Sequence, residues 1–166
     1  MFKLSAYAAA LVVLTAGQAA ASTNTITIDP TVPADNILDL QISGNNNALV
    51  ISQSAPLAAE AANRMQVSLT GDENGGAGGN FTGAALLSGL SPGHLSQSGE
   101  GNLIALSVTG SGNLFAVAQT GSFNSVMGTI NGRNNQTAVT QNGAGNHFSF
   151  AQTGNGNMIN VSQTSW

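Results

Sequence analysis

The sequence predicts an all-β protein, a small β-solenoid of stacked two-strand coils of about 22 residues each. An eleven-residue frame recurs from Gln97 to the C-terminus without an insertion, and apolar residues alternate with a period of two inside each unit. Such alternation is typical of strands with one buried face, whereas glycine and asparagine recur too often for a helix. A seven-residue strand and a four-residue turn would form half a coil, so two such units would close one coil, and successive coils would stack about 4.8 Å apart.

Each unit of the frame places a glycine two residues after its first position and an asparagine three residues later. The glycine supplies the turn because it tolerates a positive φ. The first position is glutamine in most units, with Val108 and Ile130 as the exceptions. The predicted ladder glutamines are Gln97, Gln119, Gln141, Gln152 and Gln163, the asparagines are Asn102, Asn113, Asn124, Asn135, Asn146 and Asn157, and the turn glycines are Gly99, Gly110, Gly121, Gly132, Gly143 and Gly154.

Alternation places the glutamines and asparagines on the inward face of each strand. A buried amide is costly unless its donors and acceptors are satisfied. Stacking identical residues solves this problem, because each amide donates to one neighbour along the axis and accepts from the other. We expect Gln119, Gln141 and Gln163 to form such a ladder in one sheet. The other sheet has Val108, Ile130 and Gln152 at that position, so it is mostly apolar there, and two residues earlier it would stack Leu106, Gly128 and Phe150.

The N-terminal segment predicts export. Residues 1–21 contain Lys3, an apolar stretch from Leu4 to Gly17, and small residues before a cleavage site after Ala21. The apolar stretch is shorter than the roughly 20 residues needed to span a bilayer, which favours a cleaved signal peptide over an anchor. Residues 22–35 contain two prolines and are predicted to form a flexible leader.

Residues 36–96 form a weaker version of the repeat, and residues 97–166 form the regular part. Asn36 and Asn47 begin units that follow the frame, and the register then slips by five residues before it resumes at Asn63. Residues 75–94 are rich in glycine and break the pattern. We interpret this stretch as a degraded or looped-out coil.

Composition excludes several classes of function. Only 6% of the residues are charged, against about 25% in an average globular domain, so the chain has little charge repulsion from its neighbours. There is no basic patch that could bind nucleic acid. The absence of cysteine excludes a disulfide scaffold and a thiolate metal site.

The sequence contains no catalytic constellation. His94 and His147 have no acid–base partner at a meaningful spacing, and Asp72-Glu73 resembles a turn charge pair. The glycine-rich run 75–79 lacks the Lys-Ser/Thr of a phosphate loop, and the Asp-rich calcium nonapeptide is missing. We therefore predict a protein that is not an enzyme and takes no cofactor and no small-molecule substrate.

The end units of the predicted solenoid favour polymerisation. Soluble repeat proteins finish in a polar capping unit, whereas the last unit here is among the most regular, with no lysine or proline to blunt its edge. Open amide ladders and weak charge repulsion would make that edge a template for another chain. The alternative is a monomeric surface- or ice-binding solenoid, but its outward row of threonines is replaced here by mixed rows such as Ser107, Thr129 and Ala151.

The repeat resembles that of the curlin family, the secreted subunits of bacterial curli fibres. The match is closest at Gln97-Ser98-Gly99-Glu100-Gly101-Asn102, Gln141-Asn142-Gly143-Ala144-Gly145-Asn146 and Gln152-Thr153-Gly154-Asn155-Gly156-Asn157. The resemblance implies export through an outer-membrane secretion channel with accessory chaperones, assembly with itself and a second curlin-type subunit, and a role in adhesion and biofilm matrix. It leaves open whether the chain is the major subunit or the minor, surface-bound nucleator.

Overall fold

The computed structural model describes residues 9–15, 24–29, 36–56, 59–77 and 79–166. The predicted all-β solenoid is confirmed, because most of these residues lie in two parallel six-stranded sheets. Each coil contributes one strand to each sheet, so the chain alternates between them. In the later coils, paired residues are 22 positions apart, which is the predicted repeat.

The strands of the two sheets face each other across a single core. Sheet A has the order β1 (Ala9–Thr15), β3 (Ile37–Ser43), β5 (Arg64–Thr70), β7 (Leu103–Ser111), β9 (Ser125–Arg133) and β11 (His147–Asn155). Sheet B runs through β2 (Thr25–Asp29), β4 (Ala48–Ser54), β6 (His94–Glu100), β8 (Leu114–Ser122), β10 (Gln136–Ala144) and β12 (Met158–Thr164). A short helix, α1 (Gly83–Leu86), lies between β5 and β6 in the chain.

The core follows from the alternation of residues. Every second side chain of a strand points between the sheets, and residues in register stack on one another along the axis. The buried members of this cluster include Leu40, Ile51, Val67, Ile104 and Phe115. Apolar burial of this kind is the main stabilising contribution to a repeat that cannot cover its hydrophobic face alone.

The turns are tighter than predicted. We expected strands of seven residues joined by four-residue turns, but the strands from β7 to β11 have nine residues. The reason is that the turn glycine still pairs with its counterpart in the next coil, as Gly121 does with Gly143. Gly121 has a φ of +110°, and a Cβ there would lie 2.0 Å from the carbonyl oxygen of Gly143. Only glycine fits such a position.

The N-terminal part differs from the expected flexible leader. Residues 25–29 form β2, which pairs in parallel with β4. The physical reason is that Asn24, Ile26 and Ile28 repeat the inward pattern of the frame. Upstream, β1 pairs with β3, while residues 1–8, 16–23 and 30–35 lie outside the described residues. Cleavage after Ala21 therefore stays a prediction.

The irregular stretch is looped out of the middle of a strand. Gly75 pairs beside Leu114, and the amide of Gly93 donates to the carbonyl of Phe115, so these two glycines occupy consecutive positions of sheet B. Residues 76–92 leave and return between them. We call these residues the strap. No helix in the described part of the chain has the length and apolar character needed to cross a membrane.

The strap packs on the outer face of sheet B. Phe81 and Ala85 are buried against Ala116 and Ala138, which would otherwise face solvent. The strap also reaches the last strand of the sheet, where the side-chain amide of Asn160 donates to the carbonyl of Ala84 at 2.9 Å. It therefore ties the third coil to the last three.

Candidate functional site: amide ladders and open sheet edges

A continuous glutamine ladder runs through sheet B. Nε2 of each glutamine donates to Oε1 of the glutamine in the next coil, at distances from 2.7 to 3.0 Å. Its members are Gln53, Gln97, Gln119, Gln141 and Gln163. The second N–H of each amide donates to a backbone carbonyl of sheet A, as from Gln119 to Leu103 at 2.9 Å. Both donors of an interior glutamine are thus satisfied.

Two asparagine ladders run along the corners of the coils. The backbone amide of each asparagine after the first donates to Oδ1 of the asparagine in the preceding coil, and in most of them Nδ2 does so too, as Asn124 does to Asn102 at 3.1 and 3.0 Å. Nδ2 also donates to the carbonyl of a turn glycine, such as Gly143 at 2.9 Å from Asn124. One ladder comprises Asn36, Asn63, Asn102, Asn124 and Asn146, and the other comprises Asn24, Asn47, Asn74, Asn113, Asn135 and Asn157.

The turn glycines form two stacks beside these ladders. All six predicted glycines have a positive φ, between 101° and 138°. Their members are Gly99, Gly121 and Gly143 on one side of the coil, and Gly110, Gly132 and Gly154 on the other. The close stacking brings their carbonyl oxygens within reach of the asparagine amides.

Gln152 is the exception among the predicted ladder residues. It lies in sheet A, where its neighbour in the preceding coil is Ile130. Its amide donates to the backbone carbonyl of Gln136 at 3.3 Å and accepts from the hydroxyl of Thr137 at 2.9 Å. Gln152 therefore belongs to no ladder, because the residue that stacks on it in the preceding coil of sheet A, Ile130, is apolar.

Several ladder members were absent from the predicted set. Gln53 is the first glutamine of its ladder, and Asn24 is the first asparagine on its corner. The signal was present in the sequence, because Asn47 and Gln53 follow the frame. The five-residue insertion after Gln53 and the strap hide the constant spacing, so only the fold shows that these residues continue the same columns.

The ladders end unsatisfied at the C-terminal coil. Among the described strands, β11 and β12 each pair on one side only. Gln163 donates one N–H to the carbonyl of His147, and its second N–H has no partner in the described part of the chain. Oδ1 of Asn146 and of Asn157 likewise accepts no hydrogen bond there. This end offers unpaired backbone groups together with one free amide donor and two free amide acceptors.

The charged residues that the structure describes do not form a metal site. No cluster of three His, Asp or Glu side chains that could hold a metal ion occurs among the described residues. His94 and His147 are both exposed on outward positions of their strands. The main hydrogen-bonding features of the described structure are therefore the ladders and the edges where they end.

A family comparison identifies the repeat. The model of the curlin associated repeat matches residues 132–164, which include β10, β11 and β12. These last coils carry the curlin associated repeat. No curated protein and no solved structure matches the chain. The curlin repeat covers only the last coils by this match, but the asparagine ladders carry the same frame back to Asn24. The match supports a curli-type subunit in general.

Proposed function

We propose that this curlin-repeat chain is a structural subunit of extracellular curli-like fibres, assembling by edge-to-edge stacking of its β-coils. The observation that carries the proposal is the open edge of β11 and β12, where the amide ladders end with free donors and acceptors. An exposed strand edge is a template for another chain unless charge, proline or a covering element blunts it. No lysine, arginine or proline occurs in these two strands.

The ladders also give the stack a direction. Glutamines donate toward the C-terminal coil, whereas asparagines donate toward the N-terminal coil. A second copy in the same orientation brings the free N–H of Gln163 toward an acceptor and the free Oδ1 of Asn157 toward donors. A copy in the opposite orientation would bring donor against donor. We therefore propose head-to-tail fibres, with strands about 4.7–4.8 Å apart along the axis.

The cellular setting is proposed from the family. It includes removal of residues 1–21, passage through an outer-membrane secretion channel with accessory chaperones, and assembly with a second curlin-type subunit at the cell surface. Adhesion and biofilm matrix formation are the roles that such fibres would serve. The low charge of the chain supports this proposal. Only 6% of the residues are charged, so charge repulsion between closely packed copies is weak.

The first test is whether the chain assembles. We expect unbranched fibres that bind thioflavin T and diffract near 4.7–4.8 Å. The test also uses Gln141→Ala, which leaves one N–H of Gln119 and Oε1 of Gln163 without partners, and Ser149→Ala on an outward position of β11. Gln141→Ala should slow elongation much more than Ser149→Ala. A soluble monomer after days at micromolar concentration would contradict the proposal and favour the monomeric surface-binding alternative.

A seeding measurement separates the two roles that a curli subunit can have. Trace amounts of this chain are added to a second curlin-type subunit, and the lag before fibre growth is recorded. A nucleator shortens the lag at trace amounts, whereas an extending subunit acts in proportion to its concentration.

A further inference from the structure

The two sheets become unequal at the N-terminal end if residues 1–21 are removed. Sheet A then begins with β3, because β1 lies within the removed segment, while sheet B still begins with β2. At the other end, β11 and β12 close the same coil. If a second copy pairs its β12 with β2 in the same orientation, its β11 lies two strand spacings, about 10 Å, from β3, and one strand is missing from sheet A.

The β2 strand supplies only some of the residues that a regular strand would place next to β4. Asn24 supplies the asparagine position, since its Oδ1 accepts from the backbone amide and Nδ2 of Asn47 at 3.0 and 3.2 Å. The glutamine position is not supplied, because Pro30 stands six residues after Asn24, where Gln53 stands six residues after Asn47. Oε1 of Gln53 consequently accepts no hydrogen bond from the described residues.

The apolar contacts of β2 are also incomplete. Ile28 pairs in register with Ile51, yet Ile28 is 38% exposed while Ile51 is 1% exposed. The strand has five residues, whereas β12 has seven. The edge of β4 is therefore covered by a shorter strand, and Gln53, the first rung of the glutamine ladder, has no donor to its Oε1 among the described residues.

The strand that would complete this edge is β12 of another copy. Without β2, the strands β3 to β12 make five complete coils with both sheets flush at each end. In register, Ile159 and Val161 of the incoming β12 would cover Leu49 and Ile51, the residues that Ile26 and Ile28 now cover. The free N–H of Gln163 would reach Oε1 of Gln53, so the glutamine ladder would continue from copy to copy.

We propose that β2 is an intramolecular cap, which occupies the docking edge for β12 of a second copy and is displaced when the copies stack. This inference rests on the proposed fibre function and specifies which edge receives the incoming subunit. It assigns the slow step of assembly to release of residues 24–29 from β4.

A reversible lock tests the cap. Thr27 and Val50 are partners on neighbouring strands and point outward, so Thr27→Cys with Val50→Cys can form a disulfide that holds β2 on β4. The chain has no other cysteine. The variant is used in its exported form, which begins at Ser22. We expect fibres of the oxidised variant to elongate at least about tenfold more slowly than wild-type fibres, because the linked β2 competes with an incoming β12 for the edge of β4 at a very high effective concentration. Reduction should restore the wild-type rate.

The matched control places the same lock between interior strands. Ser52→Cys with Ser96→Cys joins β4 to β6 in register and covers no edge, so its oxidation should leave the rate unchanged. As an independent variant, Ile26→Asp weakens the cap and should shorten the lag. If the locked Thr27–Val50 variant grows at the wild-type rate, the cap proposal is wrong, and copies must join with β2 in place. If wild-type and reduced proteins form no fibres, the fibre proposal itself fails.

Discussion

At residue scale, Gln119 shows why the ladder requires identical residues in successive coils. Its Oε1 accepts from Gln97, and its two N–H groups donate to Gln141 and to the carbonyl of Leu103. Gln119 is almost fully buried, so water cannot replace any of these partners. An amide in this environment is stable only because the neighbouring coils present matching amides.

Replacing one rung should therefore cost more than replacing an isolated amide. Gln119→Leu leaves an N–H of Gln97 and Oε1 of Gln141 unpaired, and we expect the free energy of unfolding to fall by about 2–4 kcal/mol. Gln152→Leu is the comparison outside the ladder, since its neighbour is Ile130 and the change removes only its bonds with the Thr137 hydroxyl and the Gln136 carbonyl, for an expected loss of about 1–2 kcal/mol. Denaturant unfolding of the monomer before assembly measures both. Equal losses would contradict the ladder as a cooperative unit.

The turn glycines make a second prediction at this scale. Gly121→Ala must place a Cβ against the backbone of Gly143 at a φ of +110°, and we expect a loss of about 3 kcal/mol or more. Gly145 also has a positive φ, of +68°, but nothing lies within 4 Å of a Cβ there. Gly145→Ala should cost only about 1–2 kcal/mol. Thermal unfolding of the two variants separates the cost of a Cβ against the stacked backbone from the cost of a positive φ alone. A larger loss of stability for Gly145→Ala than for Gly121→Ala would contradict this account.

At the scale of elements, the strap explains residues that the frame alone does not. Ala116 and Ala138 occupy outward positions, yet both are fully buried because Phe81 and Ala85 cover them. The insertion is tolerated because residues 76–92 leave sheet B after Gly75 and rejoin it at Gly93. These two glycines occupy consecutive positions of the sheet. Gly93 allows the return, since a Cβ there would lie 2.7 Å from the carbonyl oxygen of Ala48.

The strap should therefore be removable. Deleting residues 76–92 joins Gly75 to Gly93, which already occupy neighbouring positions, and restores the regular coil length. We expect the β-sheet signal in circular dichroism to persist, with stability lowered by about 2–3 kcal/mol through lost burial of Phe81 and its neighbours. Phe81→Ser is the control for burial alone and should show most of the same loss. Loss of the β-sheet signal after the deletion would mean that the strap is needed to close its coil.

At the scale of the whole molecule, the repeat has a polarity that a single coil does not reveal. The glutamine and asparagine ladders donate in opposite directions, so the two ends of the solenoid are chemically different. The C-terminal end is open on β11 and β12, whereas β2 covers β4 at the other end. In the proposed fibre, self-association is therefore directional, and the proposed cap makes its rate depend on how readily β2 leaves β4.

The sequence by itself determined the all-β class, the 22-residue period and the two faces of each strand. A period of two and a fixed spacing depend on local geometry, which the order of residues specifies directly. The turn positions follow in the same way, because positive φ at Gly121 or Gly143 is a property of one residue.

Only the tertiary structure decided which coil each residue joins. Gln53 continues the ladder of Gln97 although 44 positions separate them, while Gln152 has the right spacing and joins no ladder. The outward alanines beneath the strap and the strand at 25–29 also depend on contacts between distant segments. Stacking partners are set by the number of residues that loop out between coils. Hydrogen bonds between successive coils along the axis, rather than local propensity, select the register.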